Sequence, residues 1–179
     1  MIIGGQSSRM ISRKLITMSS IQQYINYRKS LAKYLEELRE LINVPVTEVT
    51  LVPLDEVARI RKKLVEKITI CPQKKFRIPF PEKTGQRFRT FIEQLEQLNS
   101  SPIYIWTEAA NGCGLFQASS LIKINLDFSY DVNSQGIIVI LTKDLRDRMI
   151  WDFFEENSEK IIEVELMGET WPQSRCYEI

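Results

Sequence analysis

Between Ile21 and Ile42, apolar and aromatic side chains recur every three or four positions, at Tyr24, Tyr27, Leu31, Tyr34, Leu38 and Leu41. This spacing predicts one long helix with a continuous apolar stripe. Ser19 or Ser20 can cap its start, and Asn43-Val44-Pro45 ends it, because the residue before a proline avoids helical backbone. Two uses of the stripe are open. It can zip two copies into a homodimer, or it can pack on the chain's own core. Tyrosines at three of the six positions make a weak zipper and favour the core.

Further along, 46–53 reads as a short strand or extended connection. A second helix is predicted over about 54–67, apolar at Val57, Ile60 and Leu64. From Ile70-Cys71-Pro72 to Pro79-Phe80-Pro81 the prolines forbid a central strand or a helix. A third helix follows over about 84–98, apolar at Phe88, Phe91, Ile92, Leu95 and Leu98.

After Asn99-Ser100-Ser101-Pro102 the period changes from helical to alternating. Strands are predicted at 103–107, at 121–125 with an extended continuation to 132, at 136–142, and at 161–167. In the last, Ile162, Val164 and Leu166 alternate with Glu163 and Glu165. The stretch 148–155 fits either period, and the Asn157-Ser158-Glu159-Lys160 turn tips it to one arm of a hairpin. Helices first and strands after predict an α+β fold, with three N-terminal helices packed on a C-terminal antiparallel sheet. Residues 19–179 are expected to form one domain, helical over 19–100 and sheet over 101–179. Residues 1–18, free of acids and holding Arg9, Arg13 and Lys14, read as a leader or an over-long start.

Composition narrows the chemistry. The 179 residues include no histidine. That removes Ser-His-Asp triads, Cys-His dyads and His-bearing metal sites. Cys71, Cys113 and Cys176 form no C-x-x-C pair, which suggests a reducing, cytoplasmic setting. Cys113 lies in the turn-like Asn111-Gly112-Cys113-Gly114 and, without an imidazole to activate it, is a poor nucleophile. Asp127 and Asp131 are the other conceivable catalytic pair, but their spacing is that of ordinary surface acids. There is no phosphate loop, no calcium loop and no Asp/Glu-x-Lys nuclease triplet. The longest apolar run, 137–141, is far too short to span a bilayer. We therefore expect no enzyme, cofactor or metal site, and no membrane span.

The net charge of +1 conceals a division. Residues 1–100 carry 18 basic and 10 acidic side chains, whereas residues 101–179 carry 6 and 13. The basic excess concentrates between Arg59 and Arg89, where Arg59, Arg61, Lys62, Lys63, Lys74, Lys75 and Arg77 are interleaved with phenylalanines. This is one candidate nucleic-acid surface, through phosphate contacts and base stacking. The acidic excess suggests a surface for a basic protein partner. Asp144, Asp147, Asp152, Glu155 and Glu156 would steer it, and Trp151 would anchor it.

The run Asp127-Phe-Ser-Tyr-Asp-Val-Asn-Ser-Gln-Gly-Ile-Ile-Val-Ile-Leu-Thr, followed by Ile150-Trp151-Asp152-Phe153 and then by 161–171, resembles small bacterial immunity proteins of contact-dependent or polymorphic toxin systems. The likeness covers about the last 50 residues and carries over no particular functional residue. It implies a stand-alone cytosolic α+β protein that binds and blocks one toxin, often a basic nuclease. RNA or DNA association through the Arg59–Arg89 stretch is the alternative expectation.

Overall fold

A computed structural model describes residues 7–67, 72–175 and 177. The expectations that involve residues 1–6, Cys71 and Cys176 lie outside the described residues. The elements are α1 (Ser7–Leu41), β1 (Leu51–Val52), α2 (Leu54–Lys67), β2 (Gln73–Pro79), α3 (Gln86–Leu98), β3 (Ile103–Trp106), α4 (Ala110–Cys113), β4 (Leu115–Ala118), β5 (Ile137–Thr142), β6 (Asp147–Glu156) and β7 (Glu159–Gly168). The strands form one sheet in the order β1-β4-β3-β5-β6-β7-β2, with every neighbouring pair antiparallel. The fold is α+β, as expected.

The sheet centres on the β6–β7 hairpin. Asn157 and Ser158 both take positive φ, 52° and 65°, the paired left-handed geometry of a two-residue turn whose twist suits the flanking strands. Alternation then sorts the side chains onto two faces. Met149, Trp151 and Phe153 of β6 point inward with Ile162, Val164 and Leu166 of β7, and Phe76 and Ile78 of β2 extend the row. The α3 helix covers this face: Phe91 meets Phe76 edge-on at 5.2 Å and Phe88 lies 6.0 Å from Trp151. Across the other face, Arg61 of α2 sits over the Trp106 ring at 5.5 Å. Beyond that point the same face bears the half-buried Val139, Ile150, Phe154 and Ile161 and the exposed Ile137.

The α1 helix includes residues 7–18, whose backbone is helical. Its stripe packs inward, the use its tyrosines favour. Leu31, Tyr34, Leu38 and Leu41 are buried in the chain's own core, Tyr27 is half-buried, and Tyr24 is 63% exposed. Other expectations are corrected. The sheet is not confined to residues 101–179, because β1 and β2 from the first half supply both of its edges. Proline explains the position of β2: Pro79 ends it, and an edge strand tolerates the missing donors that a central strand does not. Residues 121–123 form a turn of 3-10 helix instead of a strand, and only Ile124 bridges, to Ile42. The short strand β4 was not anticipated.

The largest correction concerns the acidic surface. Trp151 is 1% exposed, wedged between Phe88 and a stacked Phe128 ring 5.6 Å away, so it anchors the core and not a partner. Asp147 is 2% exposed and faces inward in the same row. Its carboxylate accepts hydrogen bonds from Asn99 Nδ2 at 2.8 Å, the Thr170 amide at 2.8 Å, the Thr170 hydroxyl at 2.7 Å and the Trp171 amide at 2.9 Å. Thr142 exchanges two further bonds with the Asp147 backbone. Gly168 belongs to the same junction. At φ 136° a Cβ there would lie 2.3 Å from the Arg146 carbonyl oxygen and 2.6 Å from the Asp147 carboxylate. Thus Asp147 fastens the end of α3, the start of β6 and the C-terminal segment at one point.

Replacing Asp147 by alanine leaves buried donors without an acceptor, and we expect it to lower stability by about 3 kcal/mol. Asp144→Ala, in the exposed turn before β6, should cost no more than about 1 kcal/mol. Urea unfolding of both variants checks this; equal losses would contradict the assignment.

Candidate functional site

The expected binding residues separate in space. Asp144 is exposed in the β5–β6 turn, where it accepts from Arg146 Nε at 2.6 Å. Partial burial pushes its pKa up, but bonds from Thr142 and Arg146 outweigh that and hold it below the usual value. Glu155 and Glu156 lie at the far end of β6, about 30 Å away for nine residues of strand. Arg77 Nη1 is 3.5 Å from Glu156. Asp152 is half-buried on the outward face between them. With Asp147 and Trp151 inside, the six do not make one surface.

The basic set also divides. Arg59 is paired with Asp55 at 3.0 Å and Glu56 at 2.8 Å, and Arg61 bonds Asn111. Lys62 and Lys63 are exposed on α2. Lys74, Lys75 and Arg77 lie on β2 at the opposite edge of the sheet from β1. Lys74 donates to the Ser174 carbonyl at 2.6 Å, while Lys75 and Arg77 both bind Glu163, at 2.6 and 2.8 Å. Lys83, from the same basic stretch, is buried with its Nζ over the Phe80 and Phe128 rings.

Two groupings that sequence reasoning did not foresee are brought together instead. The first surrounds Tyr130. Its ring is half-buried, held edge-on by Phe80 at 5.1 Å and capped by Lys160 Nζ at 4.4 Å. Desolvation raises the phenol pKa, and the negative charges of Glu155, Asp131 and Asp152 raise it further. Those three carboxylates therefore share one electrostatic neighbourhood with an aromatic ring.

The second is a cleft of about 450 Å³ between α1 and α4, closed on a third side by Asn133 and Ser134. Asn133 fixes that wall by donating to the Ile137 carbonyl and accepting from the Gln135 amide. Tyr34 and Glu37, one helical turn apart on α1, line the cleft with Cys113 of α4. The Tyr34 side chain is fully buried, and its hydroxyl lies beside the Phe116 backbone without a hydrogen bond of normal geometry. Glu37 Oε1 is likewise buried without a bond of normal geometry, and the buried Thr107 hydroxyl is its hydrogen-bonding neighbour. Burial pushes the Glu37 carboxyl up to about 7, against the lowering influence of Thr107 and Lys33. Cys113 is buried instead of exposed in its turn, and desolvation raises its thiol pKa, which disfavours the reactive thiolate. The one legible signal was the Tyr34-x-x-Glu37 spacing, which puts a carboxylate beside the buried stripe.

Among the described residues, no group of three or more His, Cys, Asp or Glu side chains is placed to hold a metal ion, and no helix is long and apolar enough to cross a membrane. Compared with known proteins, the chain matches no family model, no curated sequence and no solved structure.

The raised carboxyl has a thermodynamic sign. The unfolded chain releases the Glu37 proton near the ordinary value of 4.5, while the folded chain holds it to about 7. Between those values the unfolded state binds fewer protons, so this group's contribution to stability falls as pH rises. Glu37→Gln should therefore gain stability relative to wild type from pH 5 to pH 8, read as urea midpoints. A difference that stays constant with pH would contradict the raised value.

Proposed function

We propose that this chain is a non-enzymatic protein-binding module that acts in the cytoplasm as an immunity-type inhibitor of a basic toxin, of the nuclease kind. The observation that carries the reading is the Tyr130 patch. Asp131, Asp152 and Glu155 raise the phenol pKa electrostatically, and the ring's back is fixed against Phe80. A held aromatic ring loses little freedom on binding, and the acids around it steer a cationic partner and set its register. The absence of histidine removes the commonest acid-base groups for catalysis, and burial keeps Cys113 a poor nucleophile. This site retains Asp152 and Glu155 from the sequence expectation, adds Asp131, and replaces Trp151 by Tyr130. The nucleic-acid reading has less support, because Lys75 and Arg77 are already paired with Glu163 and lie far from α2.

The test is capture from nuclease-treated host lysate with wild type and with Asp131→Lys/Asp152→Lys/Glu155→Lys. Wild type should retain one basic protein whose nuclease activity it suppresses. The triple variant should bind that protein at least about tenfold more weakly, while unfolding at the same urea concentration. Undiminished capture by the triple variant would overturn the proposal. So would retention of nucleic acid alone from untreated lysate.

A further inference from the structure

We infer that the cleft between α1 and α4 is a binding site for a small organic cation, carrying a guanidinium or ammonium head that enters beside Tyr34 and Glu37. The inference is independent of the partner-protein reading.

Three observations carry it. The cleft, at about 450 Å³, is the size of a small-ligand site. Its lining includes two buried oxygens without a hydrogen bond of normal geometry, the Tyr34 hydroxyl and Glu37 Oε1. Buried polar atoms in native proteins are almost always bonded, so this pair can take a donor from outside the chain. A carboxylate accepts only, and the phenol can accept as well, so the pair matches a donor-rich cation. The remaining charged and titratable groups facing Glu37 are Lys33 and Tyr27 on α1, Glu108 before α4, and Cys113 on α4. Glu108 and the tyrosine rings favour a cation. Lys33, exposed and already acting on Glu37, is the single opposing charge among these groups.

Protonation links binding to pH. The carboxyl that titrates near 7 must ionise to hold a cation, so ligand binding releases its proton at neutral pH. Between pH 6 and pH 8 the ionised fraction rises from roughly a tenth to roughly nine tenths, and affinity should rise about tenfold.

The experiment is calorimetric titration of the full chain with agmatine, with neutral N-butylurea and anionic glutarate as comparison probes. Agmatine should bind with a heat that differs between phosphate and Tris at pH 7, reporting the released proton, and about tenfold more tightly at pH 8 than at pH 6. N-butylurea should bind at least about tenfold more weakly than agmatine, and glutarate should not bind. Glu37→Gln should weaken agmatine at least about tenfold and abolish the pH dependence. A second variant keeps the test independent of that carboxyl. A side chain at Gly112 meets no atom within 4 Å at its Cβ, so Gly112→Phe can occupy the cleft without displacing the fold, and it should block agmatine. The site is refuted if agmatine gives no heat and no thermal shift at 10 mM. It is equally refuted if glutarate binds as well as agmatine, or if folded Glu37→Gln and Gly112→Phe keep wild-type affinity.

Discussion

The carboxylate of Asp147 receives hydrogen bonds from the Asn99 side chain just past α3, and from the backbone and side chain of the segment that follows β7. A buried charge is tolerated only when it is fully bonded, so its neighbours have little freedom to move. Trp171 is delivered to the core by this junction, and its indole N–H finds the Leu95 carbonyl at 3.0 Å. Two residues upstream of Thr170, Gly168 lies so close to Asp147 that no side chain fits. Further on, Tyr177 stacks on Phe76 at 4.4 Å, and Arg87 lies over its outer face. The chain's end, its third helix and its central hairpin are thus held by one acid.

That acid also shows why charge along a chain is a poor guide to a charged surface. Asp144, Asp147 and Asp152 occur within nine residues, yet one lies in a turn, one in the core and one on the outward face of β6. Strand alternation decides the last two, and hydrogen-bonding donors brought from distant parts of the chain make burial of Asp147 tolerable. The same holds for the basic stretch. Lys75 and Arg77 alternate onto the outward face, where Glu163 of β7 stands opposite Arg77. Lys83 is carried inward by the turn between β2 and α3. Pairing between distant strands, which sets all of these, has no local signature.

Elements with a strong period were legible. The α2 helix occupies 54–67 as read, α3 starts two residues later than read, and the 136–142 and 161–167 strands are present. The Asn157-Ser158 turn correctly made 148–155 an arm of a hairpin, because two adjacent residues with positive φ are what such a turn demands. Short or irregular pieces were not legible. Four residues of β4 following a glycine carry too little pattern, and the edge strand β2 was hidden by its prolines. Of the candidate sites, Asp152 and Glu155 were legible, whereas Tyr34 was read only as part of the α1 stripe and Glu37 and Cys113 were not brought to it. Their meeting depends on α1 crossing the α4 turn, a contact between residues more than sixty positions apart.

The cation-site account rests on a polar group kept out of water in the cleft between α1 and α4. The most direct test is the pH titration of the Glu37 side-chain carboxyl carbon by NMR in the full chain, assigned with Glu37→Gln. The account predicts a midpoint near 7, far above that of the exposed glutamates. A midpoint at the ordinary 4.5 would show a solvated carboxylate and remove the physical basis for a buried cation site.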